Sequence, residues 1–178
     1  VQTTPMANDF GGAIKSVVET NLLLALIGIM VCSLILGMGV PSVVCYLLMA
    51  TLMGSLLGEL GVDLLAAHLF IFYFGMMSMV TPPVALAAYA SASIAEAGIM
   101  RTSWAAFRFS LVGFTLPFMF VYRPELLLMS SDGSMVGVGE IPQVALAFGS
   151  AVMGIMALGG TVTGQFFWGR LSLSLIHI

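Results

Sequence analysis

The chain has 178 residues, of which 60% are hydrophobic and 7% charged, with a net charge of −3 and a mean hydropathy of +1.13. Soluble domains carry about 25% charged residues, and a fold of this size would still leave most of its surface in water, so lipid must face much of this chain. Its charges fall singly between apolar runs. No basic tract suits nucleic acid, so no nucleic-acid partner is expected.

Val1 to Thr20 mixes Pro5, Asn8, Asp9, Gly11, Gly12, Lys15 and Glu19. This stretch (1–20) reads as a loop running into a short amphipathic helix at the membrane interface. It does not open with a charged n-region, a short apolar core and a small-residue cleavage site, so the start reads as internal to a longer protein.

The first apolar region runs from Asn21 to Leu57 and is cut near its middle by Gly37-Met-Gly-Val-Pro41-Ser42. Each arm holds roughly 16 residues and rises about 24 Å, against a hydrocarbon core of about 30 Å. Residues 21–57 are therefore expected to form a re-entrant hairpin with both ends on one side of the membrane. A kinked pair of full spans is the alternative, but it would leave the unpaired backbone of the glycine and proline turn facing lipid. Cys32 and Cys45 flank Gly39 at similar distances and should lie at similar depth on the two arms. Without a Cys-x-x-Cys spacing they read as small buried thiols.

After a polar gap, Gly58 to Asp63, a second apolar region spans Leu64 to Ala95. As one helix it would be about 48 Å long. It is interrupted at Ser78-Met-Val-Thr-Pro-Pro83, where Pro82 and Pro83 cannot continue the preceding ladder. Residues 64–95 thus read as a broken transmembrane helix, with Met79 and Val80 ending one half and the prolines starting the next. A transmembrane helix over 104–122, ended by Trp104 and Tyr122, and a last one over 141–168 follow, separated by a glycine-rich loop. Residues 169–178 read as a truncated or non-native tail. Placing the 96–103 gap in the cytoplasm puts Arg101, Arg108 and Arg170 inside.

The paired breaks carry the chemistry. Discontinuous helices bring half-helix ends to the bilayer midplane, where C-terminal carbonyls suit a cation and N-terminal N–H groups suit an anion. Pro41 suits a first helical position. No Asp, Glu, Lys or Arg lies within ten residues of either break, and His68 stands ten before the second. A relay through buried carboxylates has no candidates here. The expected ligand is instead an alkali cation, sodium, held by carbonyls from residues 36–39 and 78–81 and by the hydroxyls of Ser42, Ser78 and Thr81. Neutral oxygens would balance a divalent ion poorly. His68 reads as a hydrogen-bonded or interfacial residue, and Met76, Met77 and Met79 as packing. No hydrolase signature is present, so no enzymatic activity and no catalytic residue are expected.

Leu34-Ile-Leu-Gly-Met-Gly-Val-Pro41, Ala66-Ala-His-Leu-Phe-Ile-Phe-Tyr-Phe-Gly75, Thr81-Pro-Pro-Val-Ala-Leu-Ala-Ala-Tyr89 and Pro117-Phe-Met-Phe-Val-Tyr122 resemble the large membrane subunit of tripartite ATP-independent periplasmic (TRAP) transporters. They look most like the form in which the small and large membrane subunits are fused. The similarity covers about residues 21 to 128 well.

The resemblance implies an all-α polytopic membrane fold of two inverted repeats in an elevator-type transporter, of which this chain looks like the second. It places Gly37, Gly39, Pro41 and Ser42 at the hairpin tip, and Ser78, Thr81, Pro82 and Pro83 at the facing break. Together they would supply a sodium site and one wall of the substrate site. Family members more often have Thr where Ser42 stands, which keeps the hydroxyl.

The resemblance further implies uptake of small organic acids, driven by sodium as coupling ion and delivered by an extracytoplasmic solute-binding protein. The first repeat and the small-subunit helices would be further partners, in the cytoplasmic (inner) membrane of a bacterium or archaeon. The competing reading is a non-transporting helical scaffold or assembly subunit whose breaks are only kinks.

Overall fold

A computed structural model describes residues 21–130, 135–163, 165–166 and 169–170. The expected interfacial segment at 1–20 and the tail beyond Arg170 lie outside the described residues. The fold is all-α, apart from an antiparallel pairing of β1 (Gln165–Phe166) with β2 (Gly169–Arg170) and an isolated bridge between Met129 and Met135.

Helix α1 covers Leu22–Gly37 and starts where Asn21 Oδ1 accepts from Leu23 N at 3.1 Å. Helix α2, Ser42–Glu59, follows across Met38–Pro41. The arms meet near the tip, where Cys45 Sγ donates to Ser33 O at 3.4 Å. Ser33 and Cys45 are equidistant from Gly39, so the two arms run back along each other from the turn.

Arm length departs from expectation. Helix α1 has 16 residues, but α2 continues through Gly58 and Glu59 to 18, long and apolar enough to cross a membrane. The argument from two short arms therefore holds for α1 alone.

Gly61, at φ +75°, reverses the chain, with Val62 N donating to Leu57 O at 3.0 Å. That left-handed conformation favours glycine. Asp63 Oδ1 then caps α3 (Leu64–Met77), accepting from Leu65 N at 2.8 Å. Helix α3 packs against both arms and most extensively against α2. The core lies at this junction. Leu26, Ile29, Cys45, Met49, Leu57, Phe70, Ile71 and Phe74 are at most 1% exposed.

His68 on α3 is hydrogen bonded to Tyr46 on α2, with Nδ1 and the hydroxyl 3.0 Å apart. Tyr46 also meets Phe72 edge to face, at 5.7 Å between ring centroids. Tyr46→Phe is expected to lower the stability of the detergent-solubilised protein by about 1 kcal/mol, the usual net value of one such bond. An unchanged thermal midpoint would show the pair to be dispensable.

After α3 come a 3₁₀ turn (Ser78–Val80), the break and α4, Leu86–Ile94. The span expected at 104–122 begins five residues earlier. Helix α5 covers Ile99–Ser110, and after a 48° bend the chain continues through Gly113–Thr115 into α6, Leu116–Tyr122. The polar residues Arg101, Thr102 and Ser103 suggested a loop, but Ser103 is buried and donates to Ile99 O at 2.9 Å.

The described parts of the 123–140 connection contain two 3₁₀ turns, Pro124–Leu127 and Val138–Glu140. Glu140 ties it down, accepting from Ser130 Oγ at 2.9 Å and from Gly137 N at 3.2 Å. Helix α7 covers Ile141–Thr163 and is apolar enough to span a membrane, with Ala147 and Ala151 buried. The bent α5–α6 pair would be a third span.

Candidate functional site

The two breaks meet. A Cβ added to Gly37 would lie 2.7 Å from Ser78 Cβ and 3.3 Å from Gly75 O, and would collide with Ser78 Oγ. The last residue of α1 is therefore packed directly on the first residue of the 3₁₀ turn, and only hydrogen fits between them. One turn along α3, a Cβ on Gly75 would lie 3.6 Å from Ser42 O and 3.5 Å from Cys45 Sγ. Both ends of the hairpin tip thus touch the same stretch of α3.

Each expected site residue can be placed on this frame. Gly37 and Ser78 are buried in contact, Ser42 is half-buried at the first position of α2, and Gly39 and Pro41 are exposed in the turn. Pro41 is the N-cap of α2 rather than its first helical residue. Thr81 and Pro82 are half-buried and Pro83 is exposed.

The prolines do not start a helix, contrary to the sequence expectation. They form a cis pair inside the break, and α4 begins only after Ala85, which is fully buried in a left-handed conformation at φ 31°. Ala85 N donates to Thr81 O at 3.2 Å, and the Tyr89 hydroxyl donates to Pro83 O at 2.5 Å. These bonds hold the break in one shape.

Backbone pairing defines which oxygens are available. The C-terminal carbonyls of α1 at Ile35 and Leu36 accept from Met38 N, and Ser78 O accepts from Thr81 N. Gly37, Met38, Gly39 and Val40 receive no backbone hydrogen bond among the described residues, nor do Met79, Val80 and Pro82. The free set is thus shifted from the expected 36–39 and 78–81. Proline at 41 contributes to this, because it has no N–H to offer Gly37 O.

The hydroxyls complete the set. Ser78 Oγ donates to Gly75 O and Thr81 Oγ1 donates to Met77 O, each at 2.7 Å. A hydroxyl whose proton is given to the preceding turn keeps its lone pairs for another partner. Neutral oxygens gathered at helix ends, with no ionisable side chain beside them, can replace the hydration shell of a monovalent cation. Among the described residues no group of three His, Cys, Asp or Glu is placed to hold a metal.

Gly75 and Ser33 belong to this junction and escaped the sequence reading, because their roles arise from contacts between helices, while Cys45, expected as a buried thiol, meets both of them. Ser33 is fully buried, and its hydroxyl has no hydrogen-bond partner among the described residues.

A family model described as Tripartite ATP-independent periplasmic transporter, DctM component, matches residues 1–135. No curated protein and no solved structure matched the chain. The matched region contains both breaks and the helices α1 to α6 that hold them, and the chain belongs to the family of the DctM component, the large permease component of tripartite ATP-independent periplasmic transporters.

Proposed function

We propose that this chain forms a sodium-binding and substrate-facing part of a permease that imports small organic acids. A solute-binding protein would deliver the substrate, and a sodium gradient across the cytoplasmic membrane would drive its uptake. The observation that carries this reading is the contact of the two breaks at Gly37 and Ser78, in turns that leave carbonyls without a backbone donor and hydroxyls with free lone pairs.

A sodium ion held between the hairpin tip and residues 78–82 would join α1, α2 and α3, so the site would be complete only with the hairpin seated. The N-terminal ends of α2 and α4 would offer N–H groups to a substrate carboxylate. The first repeat of the permease and its small-subunit helices would supply the opposing wall.

The test is sodium-titrated uptake by the full-length permease in proteoliposomes. Loss of one hydroxyl ligand should weaken sodium binding by about 1–3 kcal/mol, which raises the sodium requirement about five- to hundredfold in Ser42→Ala or Thr81→Ala. Docking of the loaded solute-binding protein, at the membrane exterior, should not change. If both variants keep the parent curve while Glu59→Gln or Asp63→Asn shifts it, carboxylates at the helix ends hold the ion and this assignment fails.

A further inference from the structure

Helix α5 has an outward face that the transport reading does not use. At 100° per residue, Met100, Trp104, Arg108 and Arg101 follow one another along a 100° arc, with the two arginines nearly opposite the buried Ser103 and Phe109 beyond them on the far side. All five are exposed, Met100 at 53%, Trp104 at 52% and Phe109 at 71%. Arg101 and Arg108 are seven residues apart, so they nearly eclipse each other about 10 Å along the axis. Neither is paired with a carboxylate among the described residues, and Glu96, the nearest acid in sequence, is itself exposed before the helix begins.

A solvated charged face would not leave a tryptophan, a methionine and a phenylalanine uncovered on its two flanks. The arrangement instead suits a boundary, with apolar flanks toward hydrocarbon and cations at the headgroups. An independent contact ties this face to a helix end. Arg108 Nη2 donates to Val162 O at 3.4 Å, in the last turn of α7. Helix α7 is long and apolar enough to span the membrane, which puts its final turn near the edge of the hydrocarbon, with Arg108 beside it. A 48° bend separates α5 from Gly113–Tyr122, so the two halves of this apolar pair run in different directions.

We propose that Arg101 and Arg108, with Trp104 between them, bind the phosphates of anionic phospholipids at this membrane surface. Arg108 spends one donor on Val162 O and keeps the rest of its guanidinium fork for a phosphate. The two turns of helix separating the arginines allow each to engage its own headgroup.

The full permease is reconstituted in phosphatidylcholine vesicles doped with brominated phosphatidylglycerol or with brominated phosphatidylcholine. Quenching attributable to Trp104 is taken as the difference from Trp104→Phe. The phosphatidylglycerol should quench at the lower mole fraction, and the preference should fall about fivefold for each arginine changed in Arg101→Gln and Arg108→Gln. It should vanish in the double variant, while Arg101→Lys with Arg108→Lys, which keeps the charge, retains most of it. Equal quenching by both lipids in the parent overturns the proposal, as does a preference that survives the double glutamine variant. A loss in the lysine variant as complete as in the glutamine variant also overturns it. Inorganic phosphate in the buffer should not abolish the preference, and abolition would make this a site for a soluble anion.

Discussion

Gly37→Val should reduce sodium-driven uptake by about a hundredfold in the full-length permease. The first carbon of any side chain there lies 2.7 Å from Ser78 Cβ and collides with Ser78 Oγ, and both residues are buried. Overpacking usually costs about 1–3 kcal/mol, and a branched side chain against a helix end belongs at the upper limit. The arm can relieve the clash only by withdrawing α1 from the 3₁₀ turn, which separates the two sets of carbonyls. Spread over a transport cycle that needs them together, about 3 kcal/mol is roughly two factors of ten. Gly37→Ala should lose less, and adding Ser78→Gly to it should recover part of the uptake, because that removes the two nearest atoms and leaves only Gly75 O. No recovery in the double variant would mean that glycine is needed at 37 for a reason other than this contact.

Phe74→Ala should destabilise the protein by about 2–3 kcal/mol in detergent unfolding. Phe74 is 0% exposed and stacks edge to face with Phe70, Phe114 and Phe118, at centroid distances of 4.9, 5.6 and 5.9 Å. Within a bilayer the transfer of apolar surface from water contributes little to helix association, so the cost is mainly the void left behind. A hole of about 100 Å³ at about 24 cal/mol per Å³ gives the figure stated. The loss should appear as separation of α3 from α6, since three of these rings join those two helices. Phe109→Ala, at 71% exposure, is the control and should change stability little. Equal losses for the two variants would show that the ring cluster does not hold the helices together.

The breaks were legible because the sequence marks them chemically. Glycine and proline within otherwise apolar runs leave the backbone few alternatives, and the turns fall at 38–41 and 81–85. What happens inside each turn was not legible. Pro82 and Pro83 looked like a helix start, but the left-handed Ala85 delays α4 to Leu86, an outcome that only the surrounding contacts can impose. The extension of α2 to Glu59 was missed because Gly58 reads as a breaker, although a glycine inside a helix costs only about 1 kcal/mol. The first turn of α5, residues 99–103, was read as part of a gap, whereas Thr102 and Ser103 satisfy their hydroxyls on the preceding turn. The close approach of Gly37 to Ser78 joins residues 41 positions apart, and no local pattern encodes that contact.

The tight reversal between α2 and α3 distributes mobility unequally. Val62 N on Leu57 O, Gly61 N on Gly58 O and the Asp63 cap leave no slack between these helices, and their long shared interface makes them one mechanical body. Helix α1 is joined to that body through Met38–Pro41, where Gly39 has open space around it and the carbonyls of Met38, Gly39 and Val40 receive no backbone hydrogen bond among the described residues. The hairpin is therefore hinged on one side only. Any opening between the breaks is therefore expected to take its bend at Met38–Pro41 and to require α1 to part from α3.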